Sequence, residues 1–207
     1  MARQADEKVK TRRGRPLKEG LRGHLVLHTL RVLLRDGYEK FSMNAVAVSA
    51  SASKETLYRI FRDKAGLLGA ALDHLGTMVE PLLLAGVEEA LGREQRLQRL
   101  AENYLRGCLL PESLTLQRIA YARGDKDLGQ AFAREFTDAA LAVMTRQMAA
   151  MGTPKPELDA EIFLAMVQGQ IHEKVLLGVG SRQARKKHDD VTTHAVRIFM
   201  AYLKKPE

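Results

Sequence analysis

Disulfide chemistry is all but absent from this sequence: its 207 residues include one cysteine, Cys108. A single thiol closes no internal disulfide, offers no Cys-x-x-Cys metal or redox pair, and suits a reducing cytoplasm. Long apolar runs are missing too. No stretch approaches the roughly 18 residues that span a bilayer, and no signal-peptide core opens the chain, so no membrane role is expected. Also absent are a glycine-rich phosphate loop, an internal repeat, a nucleophile–base pair, paired carboxylates and any cofactor fingerprint. Neither an enzyme nor a bound cofactor is expected. Convincing strand alternation is lacking as well, which leaves an all-α fold.

What is present is an ordinary globular composition with an uneven charge. Forty-five per cent apolar and 28% charged residues suit one or two small domains with a real core. The formal net charge of +8 is not spread along the chain. Residues 1–66 hold 15 Lys/Arg against 7 Asp/Glu, whereas residues 67–207 hold 18 against 18. A basic balance confined to the first third is what a phosphate-facing module needs, because neutralised phosphates release condensed counterions. A merely solubilising surface would distribute its lysines and arginines.

Within that basic third, Ser42 to Lys64 holds two short helix signals, each opened by a serine. Ser42 and Ser53 can each accept a hydrogen bond from a first-turn N–H. Val46, Ala47 and Ala50 give the first helix a small apolar face, and Leu57 with Phe61, an i,i+4 pair, gives the second its own. Two helices joined by a three- or four-residue turn cross steeply, and small residues such as Ala47 and Ala50 permit the close approach. This is the helix-turn-helix geometry that lays its second helix into the DNA major groove.

With this spacing, the residues resemble the N-terminal signature of the TetR family of bacterial transcriptional regulators. The resemblance runs from about Leu21 to Leu68 and includes Asp36-Gly37-Tyr38, Ser42, Val46-Ala47, the run Ser53 to Phe61, Lys64 and Leu67-Leu68. It implies a three-helix DNA-binding domain over residues 18–66 and a larger helical effector-binding and dimerisation domain over 67–207. It also implies a homodimer whose partners are double-stranded operator DNA and a small-molecule effector. One departure falls in the turn, where Ser51-Ala52 replaces the family's usual glycine and valine. A left-handed or tight turn costs serine more than glycine.

Roles in the second helix divide by chemistry. Ser53, Lys54, Glu55 and Thr56 occupy its first turn, the end that reaches base edges. Lys54 can donate to guanine O6/N7, and Thr56 can meet a thymine methyl or a phosphate. Glu55 can accept from cytosine N4 or turn toward Arg59. The resemblance assigns phosphate contacts to Ser42, Tyr58 and Lys64, while a plain core tyrosine is the other reading of Tyr58. Residues 1–17 read as a basic arm. There Arg13-Gly14-Arg15-Pro16 resembles the AT-hook core, whose arginines enter a narrow A·T-rich minor groove; a basic tail with no preferred groove is the alternative.

The periodicity predicts a scaffold helix over 18–35 with a stripe of Val26, Leu30, Leu33 and Gly37, widened by Leu27 and Leu34 and stopped at Gly37. His24 and His28, one turn apart, have no cysteine or carboxylate pattern beside them, so no metal site is assigned. A connector follows over 64–85 with its break at Pro81, then helices near 93–109, 112–123, 127–151, 157–178 and 184–204. The stretches Pro111 to Leu128 and Asp159 to Leu177 resemble the AefR-like subgroup.

The last two helices carry apolar residues on two sides. Leu158, Ile162, Ala165, Met166 and Gly169 form one stripe, and Val191, Ala195, Ile198 and Tyr202 another, with Phe163, Val167, Val196, Phe199 and Leu203 beside them. A helix apolar on two sides must bury both, which points to a dimer surface. Tyr104, Cys108, Phe136, Phe163, Met166 and Gln170 are the candidate effector-lining residues, with Leu116, Ile119, Phe132 and Met144 near them in the pattern. The function expected is a dimeric repressor released from a palindromic operator by a small molecule. The alternative is a sequence-tolerant architectural DNA-binding protein.

Overall fold

Serine oxygens start the two short helices as their spacing predicts. In the computed structural model, which describes residues 20–123, 126–179 and 181–203, α1 spans Leu21–Lys40, α2 Met43–Ser49, α3 Lys54–Phe61 and α4 Lys64–Gly76. The Ser42 Oγ accepts from the Ala45 N–H at 3.1 Å, and the Ser53 Oγ from Thr56 at 3.1 Å. Asp63 caps α4 in the same way through the Gly66 N–H at 2.8 Å. Gly37, at φ 73 and ψ 173, breaks the last turn of α1 where the stop was expected.

The buried face of α1 is not the predicted one throughout. Val26, Leu30 and Leu33 are buried as expected, but Leu27 and Leu34 are 52% and 40% exposed. Leu25 and Val32 take their places, fully enclosed. At 100° per residue, positions 25, 26, 29, 30, 32 and 33 form one continuous face, and 27 and 34 fall outside it.

The connector breaks earlier than its proline suggests. Helix α4 ends at Gly76, and α5 runs over Val79–Leu83, so the break lies at Thr77–Met78. Pro81 sits inside the first turn of α5, where its missing N–H removes no helical hydrogen bond. Buried Asn103 then fixes the end of α5 by donating to the carbonyls of Leu83 at 3.0 Å and Ala85 at 2.8 Å.

The remaining helices are α6 Arg93–Cys108, α7 Pro111–Arg123, α8 Lys126–Phe132, α9 Ala139–Ala150, α10 Pro156–Leu176 and α11 Ser181–Leu203. The single helix expected over 127–151 is α8 and α9 joined by a π-helical turn, Ala133–Asp138. No strand occurs among the described residues. Two cores organise the helices. The first gathers α1 to α4, running on through Leu67, Leu68 and Leu72, and takes in Leu116 and Ile119 from α7. The second joins Leu97, Leu100 and Leu105 of α6 to Met144 and Met148 of α9, Phe163 and Val167 of α10, and Val196 and Phe199 of α11. Helix α7 therefore belongs to the DNA-proximal core through one face, while on another the Arg118 guanidinium donates to the Val175 and Leu176 carbonyls at 2.8 Å each.

Three helix ends share one hydrogen-bond pattern. After α2, α9 and α10, the second residue past the last turn donates back five residues and the one before it donates back three: Ala52 to Ala47 with Ser51 to Val48, Thr153 to Met148 with Gly152 to Ala149, and Val179 to Lys174 with Gly178 to Val175. The pattern requires a left-handed residue. Gly152 and Gly178 supply it at φ 69 and 80, but after α2 it is Ser51, at φ 51. A side chain there costs about 1–2 kcal/mol, and glycine's extra unfolded-state freedom offsets about half of that. Ser51→Gly is therefore expected to stabilise the protein by about 1 kcal/mol, read as a melting temperature a few degrees higher. A lower one would show that the serine hydroxyl, not the backbone, governs the turn.

Candidate nucleic-acid interface

Burial of one side of α3 decides what the other side presents. Leu57 and Phe61 lie in the first core, so Ser53, Lys54, Glu55, Tyr58 and Arg59 face outward. Tyr58 is 52% exposed, which rules out the core-tyrosine reading and leaves its hydroxyl at the surface. Ser53 and Thr56 pair through their hydroxyls at 2.9 Å, so the half-buried Thr56 shows its methyl and a hydroxyl already engaged. Among the described residues, Glu55 forms no ion pair with Arg59. Arg59 thus remains an exposed cation one position beyond Tyr58, a candidate that the sequence reading treated only as Glu55's partner.

Ser42 and Lys64 meet around the end of α1. The Lys64 ammonium sits 3.9 Å from the Tyr38 ring centroid and 5.2 Å from that of Phe41, and donates to the Tyr38 carbonyl at 3.4 Å. Phe41 immediately precedes exposed Ser42, whose oxygen is the α2 cap while its hydroxyl proton remains to donate. The aromatic faces attract the cation and hold it at the α1–α2 corner. Arg13 and Arg15 lie outside the described residues.

His24 and His28 serve the same corner rather than a metal. The His24 Nε2–H donates to the Ala50 carbonyl at 3.3 Å, and His28 Nδ1 pairs with the Ser49 hydroxyl at 2.9 Å. Arg31 approaches the other His28 nitrogen at 3.4 Å. The two rings lie 4.5 Å apart, and no cluster of three potential metal ligands occurs among the described residues. Together they tie α1 to the last turn of α2, next to strained Ser51.

The six candidate effector residues do not line one cavity. Phe163 is fully buried against Phe199, ring centroids 5.0 Å apart. Phe136 stacks on Phe132 at 4.6 Å and packs against the first core, the core that also holds Leu116 and Ile119. Gln170 is exposed. Met166 borders an open depression of about 460 Å³ between α10 and α11, with Asp190, Val191, His194, Ala195 and Ile198. Only Tyr104 and Cys108 stay together, one turn apart on α6; burial pushes the Cys108 thiol up to about 12 and raises Tyr104 as well. Their polar neighbour is Gln168, which accepts from the Tyr104 hydroxyl at 3.5 Å. A helix-facing difference of two residues separates it from Gln170, and apolar periodicity gives no signal for a polar residue turned inward.

A capped helix-turn-helix with an exposed cationic second helix, carried on a larger helical body, defines a DNA-binding regulator. The comparisons with known proteins agree. Residues 26–71 match the profile of bacterial regulatory proteins of the tetR family, and residues 95–204 match the C-terminal domain of AefR-like transcriptional repressors. The chain belongs to the TetR family of transcriptional regulators. It is 29% identical over 160 residues to the DNA-binding transcriptional repressor TetR of Mycobacteroides abscessus, covering 74% of this chain and 81% of that protein. Its fold matches a putative TetR-family regulator from Mesorhizobium loti at a TM-score of 0.77 and 23% identity, over 87% of this chain and 95% of that one. A TetR regulator from Agrobacterium tumefaciens matches at 0.69 and 21%, over 87% and 92%. No helix among the described residues is long and apolar enough to cross a membrane.

The histidine latch makes stability depend on pH. Desolvation, then the Arg31 and His24 charges, hold His28 below its ordinary value, and desolvation lowers His172 in the same sense. A depressed histidine binds its proton more weakly folded than unfolded, so its stabilisation is present above about pH 6.5 and is lost as pH falls. The melting temperature is expected to fall between pH 7 and pH 5, and to fall less in His28→Gln. An equal fall in both proteins would remove His28 from the account.

Proposed function

We propose that the protein is a homodimeric repressor that holds a palindromic operator in the cytoplasm and is released by a small-molecule effector. The observation that carries the dimer is an uncovered apolar face. Leu158 and Ile162 on α10 are 48% and 47% exposed, and Ile198 and Tyr202 on α11 are 49% and 46% exposed. Ala165 and Gly169 continue the α10 stripe at the surface, whereas Ala195, expected on the α11 stripe, is buried with Val196 and Phe199. Two such helix pairs from two subunits cover each other as a four-helix bundle and set the recognition helices apart by a fixed distance.

On DNA, Lys54 and Arg59 face the base edges and flanking phosphates, and Ser42, Tyr58 and Lys64 hold the backbone. Arg13 and Arg15 of the basic arm reach the adjacent minor groove. Helices α4 and α5 link the two cores and act as the lever: a ligand that prefers the DNA-incompetent spacing a hundredfold supplies about 2.7 kcal/mol of coupling.

The interface and the symmetry are tested together. Selection from random duplexes is expected to return a palindrome with half-sites about 34–36 Å apart, and Ile162→Glu/Ile198→Glu is expected to sediment as a monomer that has lost most operator affinity. A selection without consensus would instead support a sequence-tolerant coating protein.

The backbone contacts have their own signature. Lys64→Ala is expected to weaken operator and random DNA alike and to flatten the salt dependence by about 0.9 of a slope unit, one phosphate's worth. Wild-type affinity and slope in that variant would take Lys64 out of the contact set.

A further inference from the structure

A chain of three polar side chains, Tyr104, Gln168 and His172, runs through the otherwise apolar region between α6 and α10, and it ends on a donor with no partner among the described residues. The Tyr104 hydroxyl donates to Gln168 Oε1 at 3.5 Å, which turns the Gln168 amide nitrogen toward His172 Nδ1 at 2.9 Å. An amide nitrogen only donates, so Nδ1 accepts and the neutral imidazole carries its proton on Nε2. That Nε2–H is buried, in a residue only 7% exposed, and has no partner among the described residues. Burial also favours the neutral ring.

The place of this donor follows from its neighbours on α10. Gln168 and His172 meet across the interruption at Gly169 through their 2.9 Å contact, and Val175 packs with Leu114 of α7 and with Leu109. Gln168 reaches α6 through Tyr104, while the Val175 carbonyl receives Arg118 of α7. His172 therefore points at the seam between α6 and α7. Around it Tyr104, Gly107, Cys108, Leu109 and Ile171 are half-buried. Gly169, at φ 42, interrupts α10, which frees residues 170–176 from the line of the helix's first half.

We propose that His172 Nε2 is the polar anchor of an effector subsite at this seam, binding an apolar molecule through a carbonyl oxygen. The subsite rests on the proposed effector-released repressor and names the chemistry it senses. The donor is one neutral N–H fixed by a relay of neutral groups, so an acceptor without charge matches it. A carboxylate at this buried donor would lose its hydration for a single neutral N–H, whereas a carbonyl oxygen loses far less. The apolar part of the ligand lies against Leu109, Leu114, Ile171 and Val175, which cluster at this end of the domain. From there α7 leads to Leu116 and Ile119 in the first core, which also holds Leu57 and Phe61 of the recognition helix.

A pair of probes of equal shape isolates the hydrogen bond: 2-octanone and 2-methyl-1-octene, which differ by a carbonyl oxygen in place of a methylene. Calorimetry on the full chain is expected to show the ketone binding about tenfold more tightly. In protein labelled with ¹⁵N-histidine, the ketone is expected to shift the His172 Nε2–H resonance and the alkene to leave it. The preference is expected to fall to within about twofold in His172→Phe, and in Gln168→Met, which releases the tautomer while keeping the histidine. Equal binding of the two probes to wild type, no binding of either, or a preference that survives in a folded variant would overturn the subsite. Probe binding at His172 without release of the selected operator would leave the subsite standing and overturn effector control instead. Release by a ligand unaffected by His172→Phe would do the reverse.

Discussion

Everything presented to DNA depends on the burial of Leu57 and Phe61. These two residues, one helical turn apart, pin α3 into a core shared with α1, α2 and α4. Fixing that face fixes the opposite one, so Lys54, Tyr58 and Arg59 project outward with no polar network needed to hold them. The surrounding devices refine the same arrangement. Serine caps start the helices at defined residues, the histidine pair ties α1 to the end of α2, and the Tyr38 and Phe41 rings hold the Lys64 ammonium at the corner. Each acts over a few ångströms, and none would orient α3 if its apolar face were loose.

The features legible in the sequence were the local ones. A cap needs only a serine and the N–H three residues on, and a helix stop at Gly37 needs only the glycine's own backbone, so both could be read without tertiary structure. The i,i+4 pair at Leu57 and Phe61 was equally plain. The errors came where a residue's surroundings are supplied from far along the chain. Leu27 and Leu34 are as apolar as their buried neighbours, and only the packing partners of α1 decide which leucines stay outside. Pro81 looked like a breaker, yet a proline in a first turn breaks nothing. Phe136 and Ile119 were grouped with an effector pocket because they are apolar positions on the middle helices, whereas the fold packs them with the DNA-binding helices. Gln168 went unseen because polar residues turned inward leave no trace in hydrophobic periodicity.

Both cores are tightly filled: Leu25, Val32, Leu57, Leu67 and Ala71 are fully enclosed in the first, and Leu97, Leu100, Met144, Phe163 and Val167 in the second. Beside the second lie a polar relay, a helix interrupted at Gly169 and an orphaned imidazole donor. Such features reduce local stability, and regions that must rearrange are drawn from that less stable end of a structure. Around the first core, backbone strain falls on Ser51 and Arg62, at φ 51 and 66. Ser51 sits at the joint where α2 hands over to α3, so its cost falls on the turn that positions the recognition helix.

The borrowing of Leu116 and Ile119 bears on how the protein is made. The fully buried residues of the first core are otherwise complete by Leu72, but Leu116 and Ile119 are synthesised about forty-five residues later, a delay of roughly two to nine seconds at ordinary elongation rates. During that interval the nascent DNA-binding unit exposes the groove that α7 will fill. It is therefore completed only once α5, α6 and α7 have been made. The helix that completes it also holds α10 through Arg118, so the DNA-binding unit and the larger helical body close on each other through one element.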